Sequence, residues 1–175
     1  MKILQSPINK VILLILISIV VFTGWEAGIE NSYLKLLVGT TNLTVGSIKE
    51  GTSVEIESTG LPNEPYQFKV NTIIQGRKGS YPQEIGGLLQ PFVIVLSWQI
   101  FLFFVLSLNS ALRSLGMNFL VFLLLQVLFL VLLTGYYSSD MQKFLYEVMM
   151  DSFYVIAIIL VIKDNMLFPV FKKQK

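Results

Sequence analysis

The stretch that decides the fold class spans residues 117–137 and reads MNFLVFLLLQVLFLVLLTGYY. It contains no charged residue and ends in two aromatic residues, Tyr136 and Tyr137. About 20 predominantly apolar residues are needed to cross the hydrocarbon core of a bilayer. Tyrosine is enriched where such a helix meets the lipid headgroups. We therefore predict that this stretch is a membrane-spanning helix.

Three other stretches favour the same assignment. Residues 8–28 are mostly aliphatic and follow a short basic lead. A signal peptide would also fit this pattern, but the bulky Trp25 lies inside the small-x-small cleavage site that would end at Ala27, so we expect an uncleaved helix. Residues 88–108 form a second span with Pro91 near its start, where the missing N–H is tolerated. Residues 153–162 form the centre of a fourth span, which reaches bilayer length if residues 144–151 belong to the same helix, as we expect.

The composition agrees with lipid as the solvent of much of the chain. Hydrophobic residues make up 54% of the 175 residues and charged residues only 14%, whereas soluble domains are about a quarter charged. The chain has no cysteine and no histidine. This excludes disulfides, thiolate nucleophiles, imidazole bases and the usual zinc sites. The net charge of +2 and the absence of a basic stripe argue against nucleic-acid binding.

The segment between the first two spans differs in kind. Trp25, Ile29, Tyr33 and Leu37 recur every fourth residue, so we expect the first helix to continue or restart as an amphipathic one. Residues 53–57 and 66–74 alternate between apolar and polar side chains, which predicts two strands, and residues 43–45 are a weaker third candidate. Residues 61–65 and 76–79 are typical of turns. We predict a small antiparallel sheet of about three strands.

The distribution of charge predicts the orientation. With the N-terminus in the cytoplasm, four spans return the C-terminus to the same side. The cytoplasmic segments then hold seven basic residues and one acid, whereas the exterior segments hold six basic residues and ten acids. An excess of Lys and Arg marks the cytoplasmic side. The predicted divisions are an N-terminal transmembrane helix (1–28), an extracytoplasmic α+β segment (29–87), a three-helix transmembrane region (88–165) and a basic cytoplasmic tail (166–175).

Two amides lie near the centres of predicted spans, Gln99 in the second and Gln126 in the third. An amide in hydrocarbon needs a partner, and the two could bond to each other across a helix pair. They could instead line a polar path or dock another membrane protein. We favour a contact between helices.

Four charged residues are further candidates. Glu147 and Asp151 share a helix face at the outer edge of the fourth span, where paired carboxylates could bind a cation or exchange a proton. A solvated face with a salt bridge to Lys143 is the simpler interpretation. Arg77 and Lys78 lie at a turn and could contact lipid phosphate or an acidic partner. Asn42 begins an Asn-Leu-Thr glycosylation triplet, a pattern that is common by chance.

The order of elements, together with residues 88–93 (LLQPFV) and 145–148 (LYEV), resembles the small membrane proteins that accompany bacterial exosortases. The resemblance covers most of the chain as a layout and only a few residues as a motif. It implies a helper that lacks the catalytic residues of the transpeptidase, located in a bacterial inner or plasma membrane. It assigns no functional residue to this sequence.

We therefore predict an integral, α-helical membrane protein with about four transmembrane helices and a small extracytoplasmic antiparallel β-sheet between helices 1 and 2. The predicted function is that of a non-catalytic accessory or scaffolding subunit without a cofactor or metal. Its partners would be the lipid bilayer and another membrane protein. The alternative is a small homo-oligomeric transporter or channel component. An enzyme that uses Ser, Lys or carboxylates would need a clustered spacing of those residues, and the sequence has none.

Overall fold

The computed structural model of the chain describes residues 6–60, 66–74 and 76–171. These residues form six α-helices and three strands, with a π-helical turn at Trp25–Ile29 and a 3₁₀ turn at Gly86–Leu88. The helices are α1 (Pro7–Gly24), α2 (Glu30–Ile48), α3 (Gln90–Val105), α4 (Leu108–Leu133), α5 (Asp140–Met150) and α6 (Phe153–Leu167). The strands are β1 (Ser53–Ser58), β2 (Tyr66–Ile74) and β3 (Arg77–Glu84). The chain is thus mostly helical with one small sheet, as predicted.

Two helices in the described part of the chain are long and apolar enough to cross a membrane, Pro7–Ile48 and Leu108–Leu133. A third appears if α5 and α6 count as one span, although they are bent by 55°. Helix α3 is apolar but has only 16 residues. By length and composition, therefore, two or three of the four predicted spans are found, and the predicted number is not confirmed.

The bend between α5 and α6 corrects the prediction for the fourth span. We expected residues 144–151 to extend the helix that contains residues 153–162. The helix instead ends at Met150, Asp151 caps it, and a new helix begins at Phe153. The fourth apolar helix accordingly has 15 residues.

Helix α1 does continue into α2, as the recurrence of aromatic and aliphatic residues predicts. Trp25, Tyr33 and Leu37 are buried, but Ile29 is 49% exposed. The backbone departs from helical geometry at Gly28, where φ is 128°. This positive φ, which glycine adopts without a steric penalty, shifts the helical phase, so Ile29 leaves the buried stripe.

The sheet is antiparallel in the order β1-β2-β3. The strands predicted at residues 53–57 and 66–74 are confirmed, and Val54, Phe68 and Val70 are fully buried on one face. The third strand is not at residues 43–45, which lie in α2, but at Arg77–Glu84. Ile74 pairs with Arg77, so the hairpin turn is shorter than predicted, and Gly76 provides its positive φ of 78°. The turn predicted at residues 61–65 lies outside the described residues.

Helix α2 is rich in β-branched residues, yet its threonine hydroxyls are satisfied within the helix. Thr40, Thr41 and Thr44 each donate a hydrogen bond to the carbonyl oxygen four residues earlier. Asn42 contacts the sheet instead: its amide donates to the carbonyl of Val54 and accepts from the Val54 N–H, both at 2.8 Å. The side chain of Asn42 therefore pairs with the edge strand β1 as a neighbouring peptide would.

The chain divides into two compact units. Unit 1 comprises Met1–Glu30, Gln90–Phe122 and Tyr154–Lys175, and unit 2 comprises Asn31–Leu89 and Leu123–Phe153. In unit 1, Ile17 and Val21 of α1 pack in one cluster with Trp98, Phe101 and Leu102 of α3 and with Val170. In unit 2, the ring of Phe129 stacks on Tyr146 with centroids 4.4 Å apart. Both units thus contain a core that mixes aromatic and aliphatic side chains.

Candidate functional site

A carboxylate is buried at the centre of unit 1. Asp164 lies on α6 and is only 1% exposed. Its Oδ2 atom accepts hydrogen bonds from Trp98 Nε1 at 3.2 Å and Gln99 Nε2 at 2.9 Å on α3. It also accepts from Ser114 Oγ at 2.8 Å and Asn118 Nδ2 at 2.7 Å on α4. One oxygen therefore joins three helices, and we call these five residues the Asp164 cluster.

The local sequence explains how the donors converge. Trp98 and Gln99 are neighbours on α3, whereas Ser114 and Asn118 are four residues apart and so occupy one face of α4. All four are buried. Each of the groups that reach Oδ2 is a donor, and a buried carboxylate needs such donors because it loses its hydration on folding.

The second oxygen of Asp164 has a different neighbour. Lys163 Nζ lies 3.2 Å from Oδ1, close enough for an ion pair, but it is not aligned to donate a hydrogen bond there. The ammonium donates instead to Asn118 Oδ1. The Lys163 side chain is 35% exposed, so solvent weakens this ion pair. The neutral donors therefore contribute more to holding the carboxylate than the lysine does.

Three further polar atoms in unit 1 are buried without a hydrogen-bond partner among the described residues. They are Gln99 Oε1, Ser97 Oγ and Asn165 Oδ1. Buried polar atoms of this kind can be satisfied by an ordered water molecule. No group of three or more Asp, Glu, His or Cys residues is found in the described part of the chain. The cluster is thus a buried carboxyl group held by neutral donors.

A second buried polar contact lies in unit 2. Gln126 of α4 is fully buried, donates to the carbonyl of Leu88 at 2.6 Å and accepts from the hydroxyl of Tyr33 on α2. Its amide therefore joins α2, α4 and the segment before α3. The amide of Gln99 donates to Asp164 within unit 1, whereas Gln126 has its partners within unit 2.

The remaining predicted site residues lie on exposed surface in unit 2. Glu147 accepts a hydrogen bond from the hydroxyl of Tyr136 at 3.2 Å, and Asp151 caps α5. The expected salt bridge from Lys143 to Glu147 is not among the ion pairs of the described residues; Lys143 Nζ lies over the Tyr136 ring, 5.3 Å from its centroid. Arg77 and Lys78 are exposed at the start of β3, where they pair with Ile74 and Ile73.

Sequence reasoning identified Gln99 but missed the carboxylate that it binds. Asp164 follows Lys163, and the charge count treated it only as the single acid of the cytoplasmic side. The available signal was position: apolar residues resume at 166–168, so Asp164 lies inside a longer apolar run that is interrupted only at residues 163–165. An acid inside such a run is a candidate site by default.

Comparisons of the chain with protein-family models, curated proteins and solved structures gave no significant match.

Proposed function

We propose that this chain is an integral membrane protein that crosses the bilayer four times and acts as a non-catalytic accessory subunit of a larger membrane complex. The crossings are α1, α3, α4 and α6, with both termini in the cytoplasm and the sheet outside. On the resemblance of residues 88–93 and 145–148, the complex is of the exosortase type that sorts bacterial proteins.

The single observation that carries the topology is a contact between the two ends of unit 1. Lys10 Nζ, in the first turns of α1, donates to the carbonyl of Val170, beyond the end of α6. An even number of crossings returns the chain to the side from which it started. Lys163 donates a hydrogen bond to Asn118, and Asn118 lies five residues after Arg113 in α4, so both basic residues belong to this same end. Basic residues gathered at one end support a cytoplasmic location.

The exposed surface supports lipid as the solvent. Large aliphatic side chains are exposed along α1, α4 and α6, and many exceed half exposure. They include Ile12, Ile15, Leu16, Ile19, Val20, Leu120, Leu124, Val155 and Ile159. Soluble monomers rarely expose contiguous apolar patches of more than a few hundred Å². The short helices α3 and α6, about 24 and 22 Å long at 1.5 Å per residue, would complete their crossings with flanking residues packed in protein.

The accessory role is supported by how the buried polar groups are used. The Asp164 cluster and Gln126 each bond several helices of one unit together. Polar bonds between helices of this kind stabilise packing in membranes. Without histidine or cysteine in the sequence, acid–base or nucleophilic chemistry would depend on the remaining residue types.

Purification from native membranes in mild detergent tests the accessory role. The expected result is a defined heteromeric complex, in which a photo-crosslinker placed at the exposed Lys78 captures a partner. The matched control places the crosslinker at Leu120, a lipid-exposed position on α4. A single homo-oligomeric species with no partner, and no adduct from Lys78, would contradict the proposal.

A second candidate function rests on Asp164. Intramembrane carboxylates commonly mark ion or proton pathways, so a homo-oligomeric transporter or channel would use the Asp164 cluster. Flux of protons or monovalent cations through reconstituted vesicles that Asp164→Asn abolishes would favour this candidate. Unchanged permeability relative to empty vesicles would remove it.

A further inference from the structure

We propose that α5 is an interfacial helix that lies along the outer surface of the membrane and inserts one apolar stripe into lipid. The stripe consists of Met141, Phe144 and Val148. The proposal rests on the membrane residence proposed above, but not on the accessory role. It assigns a lipid-binding surface to a segment of which the sequence predicts residues 144–151 to extend the fourth span.

Helix α5 has three distinct faces. Tyr146 is buried and faces the core of unit 2, against Phe129 and Tyr136. Asp140, Lys143 and Glu147 are exposed and form a polar stripe with the spacing i, i+3, i+7. Met141, Phe144 and Val148 form a second stripe with the same spacing, and they are 71%, 63% and 51% exposed. One face is thus packed, one is charged, and one is apolar without a covering element among the described residues.

The neighbouring elements place this uncovered face at a membrane surface. Candidate span α4 ends at Leu133, and α5 begins only seven residues later, at Asp140. The intervening turn is tight, because Ser138 and Ser139 both donate backbone hydrogen bonds to the carbonyl of Gly135. The apolar helix α6 begins at Phe153, immediately after α5. Both ends of α5 are therefore tied to apolar helices.

The length and direction of α5 exclude a crossing by itself. Its 11 residues extend about 16 Å, roughly half the thickness of the hydrocarbon core. The bend of 55° at its junction with α6 turns it away from the line of that helix. A short helix with separate polar and apolar faces, held beside a span, is the pattern of a helix that lies in the interface.

The polar stripe contacts Tyr136, and tyrosine is a residue type that is enriched at the headgroup region of a membrane. Tyr136 donates to Glu147, and Lys143 Nζ lies over the Tyr136 ring. The adjacent Tyr137 is 59% exposed. Tyrosine and lysine both favour the headgroup region, where an apolar body and a polar tip are each satisfied. The contacts of Tyr136 with Glu147 and Lys143 thus hold the polar stripe at the headgroups, and the adjacent apolar stripe then faces lipid.

Single cysteines test the proposal, since the chain has none of its own. A spin label is attached at one position at a time. The three positions of the apolar stripe are Met141→Cys, Phe144→Cys and Val148→Cys. The matched controls on the polar stripe are Asp140→Cys, Lys143→Cys and Glu147→Cys. The purified full chain is reconstituted into vesicles of phosphatidylcholine and phosphatidylglycerol. Collision of each label with lipid-soluble oxygen is compared with collision with a water-soluble nickel chelate.

The expected result is a ratio of oxygen to nickel collisions that is several-fold higher at the three stripe positions than at the three controls. Equal ratios, or higher nickel access at the stripe, would overturn the proposal and would indicate a stripe that faces water or awaits a protein partner. A label at Leu124→Cys, on the exposed face of α4, reports membrane residence separately. High oxygen access at Leu124→Cys together with a water-exposed stripe would contradict the interfacial position of α5 without contradicting the proposed topology.

Discussion

Asn118 Nδ2 lies 2.7 Å from Asp164 Oδ2 and thereby joins α4 to α6 inside unit 1. Both residues are essentially fully buried. Asn118 also accepts from Lys163, so it connects the carboxylate and the ammonium that flank it. Removing the side chain of Asp164 or of Lys163 leaves polar atoms of Asn118 without a partner. Substitutions at these residues should therefore lower the stability of unit 1.

Substitution of Asp164 should destabilise unit 1 more than other carboxylate changes. Asp164→Asn retains the shape but removes the charge, and donors from α3 and α4 then compete for a weaker acceptor. We expect a loss on the order of 3 kcal/mol, because several buried donors lose a charged acceptor. Asp151→Asn, at an exposed helix cap, is the matched control and should change stability by less than about 1 kcal/mol. Thermal unfolding in detergent measures both, and equal losses would argue against the cluster.

The contact between Tyr33 and Gln126 should appear as an energetic coupling. Tyr33→Phe and Gln126→Leu each leave the partner unsatisfied, whereas the double variant removes both polar groups. A double-mutant cycle should therefore give a coupling on the order of 1 kcal/mol, as for other polar contacts between helices in membranes. Additive losses in the cycle would show that the two side chains do not interact.

The pairing of Asn42 with β1 should control protection of one backbone amide. Asn42→Ala removes both hydrogen bonds to Val54, so the Val54 N–H should exchange with solvent markedly faster. Asn42→Asp retains an acceptor for that N–H and should preserve most of its protection, while losing the bond to the carbonyl. Hydrogen exchange of the Val54 amide is the measurement. Equal exchange in both variants and the parent would contradict this pairing.

Tyr81 should make the stability of the sheet depend on alkaline pH. The hydroxyl of Tyr81 donates to the carbonyl of Leu133. Burial raises the pKa of Tyr81, and the neighbouring tyrosines raise it to a smaller extent: Tyr137, Tyr146 and Tyr136. The unfolded chain, with a pKa near 10, then loses its proton first. The stabilisation is present below about pH 10 and is lost as the pH rises toward the folded pKa.

The test of this pH dependence compares the unfolding temperature of the parent with that of Tyr81→Phe between about pH 8 and 11. The variant should be less stable near neutral pH, because the carbonyl of Leu133 loses its donor. Its stability should fall less steeply with rising pH than that of the parent. Parallel curves would show that Tyr81 does not contribute.

The elements that the sequence predicted are those with a simple period. Residues 53–57 and 66–74 alternate, and they form β1 and β2. Strand β3 was missed because its side chains do not alternate in the same way: Tyr81 is its only buried residue, and Pro82 interrupts the pattern. Residues 43–45 were misassigned because Thr and Val favour strands, but they lie in α2, where the hydroxyl of Thr44 donates to the carbonyl of Thr40.

The site was predictable only in part, for a different reason. Gln99 and Gln126 were noticeable as amides in apolar runs, which is a local property. Their partners are not local: Asp164 is 65 positions from Gln99, and Tyr33 is 93 positions from Gln126. Contacts of this separation depend on how helices pack. A single sequence indicates that a buried amide needs a partner, but not which residue satisfies it.

The central claim is a chain that crosses the membrane four times, with both ends on the cytoplasmic side, and single-cysteine labelling with a membrane-impermeant maleimide tests it most directly. Ser80→Cys on β3 and Ser138→Cys between α4 and α5 should react in intact cells or spheroplasts. Asn9→Cys in α1 and Asn109→Cys near the start of α4 should react only after the membrane is opened. Reaction of Ser80→Cys and Asn109→Cys from the same side of an intact membrane would contradict the account.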